Sequence, residues 1–159
     1  MLISELLSER TIKLNLESRE KRGAIAELVD VLVRADRVKD REAILQAVLN
    51  REKMMSTGIG KGVAIPHART PATEQVLLAF GRCPRGIKFE AVDARLVDLI
   101  FLLISPKISP TESVKTLGKI ARIVDHDQVR EKLRHATTPQ EVIRILQTAE
   151  EELDEEWGG

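Results

Sequence analysis

Apolar positions along this chain follow two periods, and the switches between them outline the secondary structure. Thr11–Leu16 alternates, with Ile12, Leu14 and Leu16 on one face, and predicts a short strand. Ser18 then caps a predicted helix reaching to about Ala35, whose buried stripe is Ile25, Leu28, Val29 and Leu32. Asp40 caps the next, where Ile44, Ala47, Val48 and Arg51 share a side. Gly58, Gly60 and Gly62 argue against a regular element, and Val63–Ile65 reads as a brief strand. Val76–Arg82 predicts a further strand. Val97–Ile104 is apolar on both faces, as in a central strand covered on each side.

Ser105-Pro106 and Ser109-Pro110 bracket a loop, after which Thr111 or Ser113 starts a helix in which Val114, Leu117, Ile120, Ala121 and Val124 recur at helical spacing. A shorter helix buries Val129 and Leu133. Thr138-Pro139-Gln140-Glu141 reads as a capping box with proline at the first helical position, opening a last helix that buries Val142, Ile145, Leu146 and Ala149. Residues 1–150 are expected to form one domain, and 151–159 an acidic tail that frays. Strands mixed with longer helices predict an α/β sandwich, a helix-flanked sheet.

Charge and composition narrow the function. Lys+Arg and Asp+Glu each total 25, so the formal net charge is zero, and only 3 % of the 159 residues are aromatic. A chain that gripped nucleic acid would show a basic excess or stacking platforms, so nucleic acid is excluded as a partner. Cys83 is the sole cysteine, so no internal disulfide forms and a buried thiol in a reducing compartment is expected. The start MLISELLSER lacks the basic lead and apolar run of a signal peptide. Leu99–Ile104 is far shorter than the ~20 residues that cross a bilayer. A soluble cytoplasmic protein with no membrane insertion is expected.

The chemistry concentrates in Arg51–Pro71, REKMMSTGIGKGVAIPHARTP. Pro66 stiffens the approach to His67, whose neutral imidazole is a good nucleophile near pH 7. Ser56, Thr57, Gly58, Ile59 and Gly60 are expected to turn successive N–H groups and two hydroxyls toward an anion. Arg51 adds a permanent charge and a planar donor fork. The set suits phosphate.

Rival motifs fail. Gly60-Lys61 is followed by Gly62 where a P-loop needs Ser or Thr, and the glycines do not match the dinucleotide fingerprint. His67, His126 and His135 are scattered, without the spacing of metal ligands; the last two read as solvated residues near helix ends. No GxSxG elbow is present. Neither metal nor cofactor is called for.

Arg51-Glu52-Lys53…Ser56-Thr57-Gly58-Ile59-Gly60…Gly62…Ala64-Ile65-Pro66-His67 resembles the signature of the EIIA component of the bacterial sugar phosphotransferase system. The likeness is to the fructose/mannitol type, and within it the stand-alone nitrogen-related branch. It extends over nearly the whole chain, including Val97–Leu103 and the helix from Ser113. The resemblance implies a mixed β-sheet flanked by helices on both faces, the EIIA type-2 fold. It implies that His67 accepts a phosphoryl group from an HPr-like carrier, that Arg51 steadies its oxygens, and that Ser56, Thr57 and Gly58 help form the site.

Transport members of such a family pass the group to an EIIB cysteine, whereas regulatory members bind target proteins according to phosphorylation state. Cys83 lacks the phosphate loop of an EIIB cysteine, so any acceptor is another chain. One departure stands out: Ser113 falls where the family usually has a second histidine, which slows transfer, favours a sensor, or marks a relative that no longer accepts phosphate. A serine offers one hydrogen bond and no charge. Met54, Met55 and Ile59 are expected to form an apolar docking rim around His67.

Overall fold

Residues 97–106 form the spine of the molecule, because both faces of this strand need apolar cover. The computed structural model describes residues 2–108 and 110–156. Its elements are α1 (Ile3–Leu6), β1 (Ile12–Lys13), α2 (Lys21–Arg34), α3 (Arg41–Met54), β2 (Gly58–Gly60), β3 (Val63–Ala64), β4 (His67–Thr70), β5 (Leu77–Ile87), β6 (Val97–Pro106), α4 (Pro110–Val124), α5 (Asp127–His135) and α6 (Pro139–Glu156). Strand order among the described residues is β1-β5-β6-β3-β2, with β4 also paired to β6. β5 runs antiparallel to β6, whereas β3 and β4 run parallel to it, one after the other along the same edge. The sheet is therefore mixed.

Alternation along β6 divides the core in two. Ile100, Leu102 and Ile104 pack with Leu28, Leu32, Ile44 and Val48 of α2 and α3. Leu99, Phe101 and Leu103 pack instead with Ile3, Ile120, Leu133, Val142 and Leu146 of α1 and α4–α6. Phe80 and Phe101 are paired in register on that second face, ring centroids 4.9 Å apart and tilted by 51°. Truncating a buried phenylalanine in such a place costs about 3–5 kcal/mol. Helices cover both faces, as the resemblance implies.

Several expectations need correction. The strand placed at Thr11–Leu16 shrinks to Ile12–Lys13. Its three apolar residues do not share one face: Ile12 and Leu14 pack on the α4 side and Leu16 on the α2 side. Helix α2 is entered through Glu20, not Ser18, whose hydroxyl is tied to Glu20 backbone atoms instead. Helix α1 was not anticipated. It is short and held by tertiary contact, since the Glu150 carboxylate accepts the N–H groups of Ile3 and Ser4, both at 2.7 Å.

Helix α4 opens at Pro110, Ser109 lies outside the described residues, and Val114, though it shares the helical spacing, is 68 % exposed. Ile145 is only partly buried. Thr138 caps α6 by accepting the Glu141 N–H at 3.2 Å, but the Glu141 carboxylate turns to Thr137, not to the residue that caps it. The acidic stretch expected to fray from residue 151 is helical to Glu156, with Leu153 buried; residues 157–159 lie outside the described residues. No helix among the described residues is long and apolar enough to cross a membrane.

Candidate functional site

His67 opens β4 rather than sitting in a loop. The register sets it beside Leu103 and sets Ala68 beside Ile104. Ala68, Ile104 and Leu103 belong to known faces, so His67 lies on the α4 side of the sheet. The ring is half-buried. Its Nδ1 lies 2.8 Å from the Ile65 carbonyl oxygen. A carbonyl only accepts, so Nδ1 carries the proton and Nε2 keeps its lone pair.

Burial is the largest influence on this imidazole and pushes it below its ordinary pKa. Arg51 and Arg69 push the same way, while the Ile65 carbonyl and the Glu52 carboxylate oppose them. The neutral, nucleophilic form is thereby favoured at neutral pH.

Arg51 reaches this neighbourhood from the last turn of α3. Its Nη1 donates to the Met55 carbonyl at 2.9 Å, and no carboxylate lies within ion-pair distance of it among the described residues. The guanidinium keeps its charge uncompensated, within electrostatic reach of His67.

The glycine turn differs from its expected form. Gly58–Gly60 does form a short strand, pairing with β3 through an irregular step. A Cβ at Gly58 would come within 2.9 Å of the Ala91 Cα, so only glycine permits that approach. The hydroxyls of Ser56 and Thr57 do not face an anion. Ser56 donates to the Phe89 carbonyl at 2.6 Å, and Thr57 donates to Glu52 Oε1. The amides of Thr57 and Gly58 are also engaged, with Glu52 Oε2 and Ser56 Oγ. A turn this tight satisfies its own polar groups, so these three residues serve as scaffold rather than as an open nest.

Ser113 is buried in the first turn of α4, just beyond the end of β6 along which β4 runs. No hydrogen bond joins it to His67 among the described residues. Met54, Met55 and Ile59 are 81 %, 71 % and 44 % exposed. Val92, which donates its N–H to the Gly58 carbonyl, adds an exposed apolar side chain next to them that the sequence reading missed. Cys83 is buried, and His126 and His135 are exposed.

Glu52 was also missed. It is 7 % exposed, accepts from Thr57 and holds Lys21 Nζ at 3.0 Å. A signal existed: an acid in the last turn of a helix opposes the macrodipole, which hints at a tertiary partner.

Comparison with known proteins shows the family and the fold. The family described as "Phosphoenolpyruvate-dependent sugar phosphotransferase system, EIIA 2" matches residues 5–149. A fructose-specific EIIA component of Haloferax volcanii is 38 % identical over 144 residues, 91 % of this chain and 94 % of the relative. A nitrogen regulatory protein of Bradyrhizobium diazoefficiens is 34 % identical over 146 residues, 92 % of this chain and 95 % of the relative. Against the fructose-specific EIIABC component of Bacillus subtilis the identity is 38 %, and this chain spans only 23 % of that protein.

The crystal structure of nitrogen regulatory protein IIA-Ntr from Neisseria meningitidis superposes with a TM-score of 0.85 at 33 % identity, covering 91 % of this chain and 98 % of the other. The Escherichia coli complex of enzyme IIA mannitol with phosphorylated enzyme IIB mannitol matches with a TM-score of 0.76 at 25 % identity, covering 89 % and 97 %.

Proposed function

Because the chain belongs to the EIIA 2 family of the phosphoenolpyruvate-dependent sugar phosphotransferase system, we propose that His67 is the residue on which it carries the phosphoryl group. Nε2 attacks the phosphorus of a phosphohistidine on an HPr-like carrier. The new Nε2–P bond forms as the carrier's N–P bond breaks, and the carrier imidazole leaves with the electron pair. The donor already holds a reactive bond, so positioning and charge compensation supply the catalysis. Arg51 neutralises the equatorial oxygens. Ser56, Thr57 and Gly58 shape the turn beside them, and Ser113 offers a hydroxyl from α4. The carrying step needs no metal or nucleotide.

The observation that most supports this reading is the imidazole itself: Nδ1–H is held by Ile65, and among the described residues Nε2 has no partner and a nearby arginine has no carboxylate to pair with. Met54, Met55, Ile59 and Val92 give the carrier an apolar surface on which to dock in the cytoplasm. Onward transfer goes to a cysteine of a separate EIIB protein, a reading supported by the relative solved with phosphorylated IIB mannitol. A second reading, in which phosphorylation state governs binding to a regulatory target, draws support from the relatives named nitrogen regulatory protein.

Incubation with phosphorylated carrier followed by peptide mapping tests the assignment. The label is expected on His67 and absent from His67→Ala; equal labelling of that variant overturns the proposal. Adding an EIIB protein then separates the two outputs, since transport predicts loss of label to the EIIB cysteine.

A further inference from the structure

Resting on His67 as the phosphoryl acceptor, we propose that Glu52 is a positioning residue that anchors a hydrogen-bonded chain ending at the His67 ring. The chain can be followed atom by atom. Lys21 Nζ holds Glu52 Oε2 at 3.0 Å, and the same oxygen accepts the Thr57 N–H at 2.9 Å. Glu52 Oε1 accepts the Thr57 hydroxyl. The Thr57 carbonyl accepts the Ile65 N–H at 3.0 Å, and the Ile65 carbonyl accepts His67 Nδ1–H at 2.8 Å.

Glu52, Thr57 and Ile65 are buried, while Lys21 at one end and the His67 ring at the other are half-buried. Hydrogen bonds in such an environment are stronger and more sensitive to geometry than in water. Thr57 is gripped at both its amide and its hydroxyl, so the plane of its carbonyl is set, and with it the strand that bears Ile65. The Ile65 carbonyl in turn selects the tautomer that leaves Nε2 free.

The anchor also serves the other charge in the site. Met55, whose carbonyl holds Arg51, lies two residues before Thr57, so the loop that Glu52 locks is the one that holds the guanidinium. Lys21 is fixed in its turn, 4.9 Å from the centroid of the Phe89 ring, and the Phe89 carbonyl accepts the Ser56 hydroxyl. One buried carboxylate thus ties the start of α2, the end of α3 and the glycine turn into a single frame. Removing it frees the imidazole to rotate and the arginine to drift, and displacements of about 1 Å cost on the order of a hundredfold in rate.

The test compares Glu52→Gln, Thr57→Val and Thr57→Ser with the parent. Two readouts are used: nitrogen-15 NMR of the His67 ring, and the rate of phosphorylation by phosphoramidate, a small donor that needs no docking surface. The parent is expected to show one dominant tautomer with the proton on Nδ1. Glu52→Gln and Thr57→Val should show a mixture and phosphorylate about 10–100-fold more slowly, while Thr57→Ser, which keeps the hydroxyl, should match the parent.

A purely structural Glu52 would lower the melting temperature without moving the tautomer ratio. An unchanged ratio and rate in both Glu52→Gln and Thr57→Val overturns the inference. If Glu52→Gln does not fold, the contrast between valine and serine at position 57 decides alone. Failure of the parent to be labelled at His67 overturns instead the phosphoryl-acceptor reading, so the two failures are distinguishable.

Discussion

The arginines at the two ends of β6 live in opposite company. Near its start, Arg134 grips Asp98 through Nε at 2.7 Å and Nη2 at 3.2 Å, and donates to the Lys61 carbonyl at 2.8 Å. Lys61 pairs with Asp125, and Arg130 pairs with Asp127 while donating to the Val124 and Asp125 carbonyls. Burial pulls the Arg134 guanidinium down, but Asp98 outweighs it and holds it above its ordinary range.

Near the other end, Arg51 touches only a neutral carbonyl among the described residues. The first group has its charge cancelled and works as a clamp between α5 and the sheet. Arg51 has its charge left over. An unpaired cation next to a half-buried imidazole held below its ordinary pKa is what the proposed phosphoryl transfer asks of this end.

This contrast can be broken at either end. Arg51→Ala should lower the rate of phosphorylation about a hundredfold, in line with the loss of one preorganised donor to a developing charge. It should change stability by less than about 0.5 kcal/mol, since the side chain is partly exposed and unpaired. Phosphorylation kinetics and thermal unfolding of the same sample check both halves. Arg134→Ala should do the reverse: a loss of about 1–2 kcal/mol, reduced by partial exposure of the pair, with labelling of His67 within twofold of the parent. A large kinetic defect there would erase the distinction between the two ends.

The pH response sharpens the comparison further. Burial, Arg51 and Arg69 hold the His67 imidazole below its ordinary 6.5. Phosphorylation should therefore decline at a lower pH than an ordinary imidazole would set, as Nε2 gains a proton. Removing the Arg51 charge relieves one depressing influence, so in Arg51→Ala the decline should begin at higher pH. Proton NMR titration of His67 in both proteins measures this directly. The same linkage reaches stability. The unfolded chain binds a proton at His67 more readily than the folded one, so stability from this residue is full above about 6.5 and falls as acid protonates the ring.

Helices and the central strand were largely legible in the sequence because each depends on a local period. The stripe Ile25, Leu28, Val29, Leu32 and the run Val97–Ile104 need no distant partner to be recognised. The strand at His67 was not legible, since His-Ala-Arg-Thr has no marked alternation and exists because β6 offers a free edge there. Likewise α1 is held by Glu150, 147 residues from Ile3 in sequence.

Within the site, residue types pointed to Arg51 and His67, while the directions of hydroxyls and amides did not follow from them. Ser56 and Thr57 have side chains that serve an anion or a turn equally well, and the choice is made by Phe89 and Glu52, which approach from elsewhere.

The carboxylate of Glu150 has one more implication. By gripping Ile3 and Ser4 it brings the beginning of the chain to a point on α6 only six residues, or about 9 Å of helix, short of Glu156. Helix α1 and the last turns of α6 therefore share one corner on the β5 side of β6, whereas His67 opens from the β4 side. A fused acceptor on a flexible tether would approach the imidazole at a raised effective concentration without shielding it from its donor. A circular permutant joined at that corner is the corresponding engineering route.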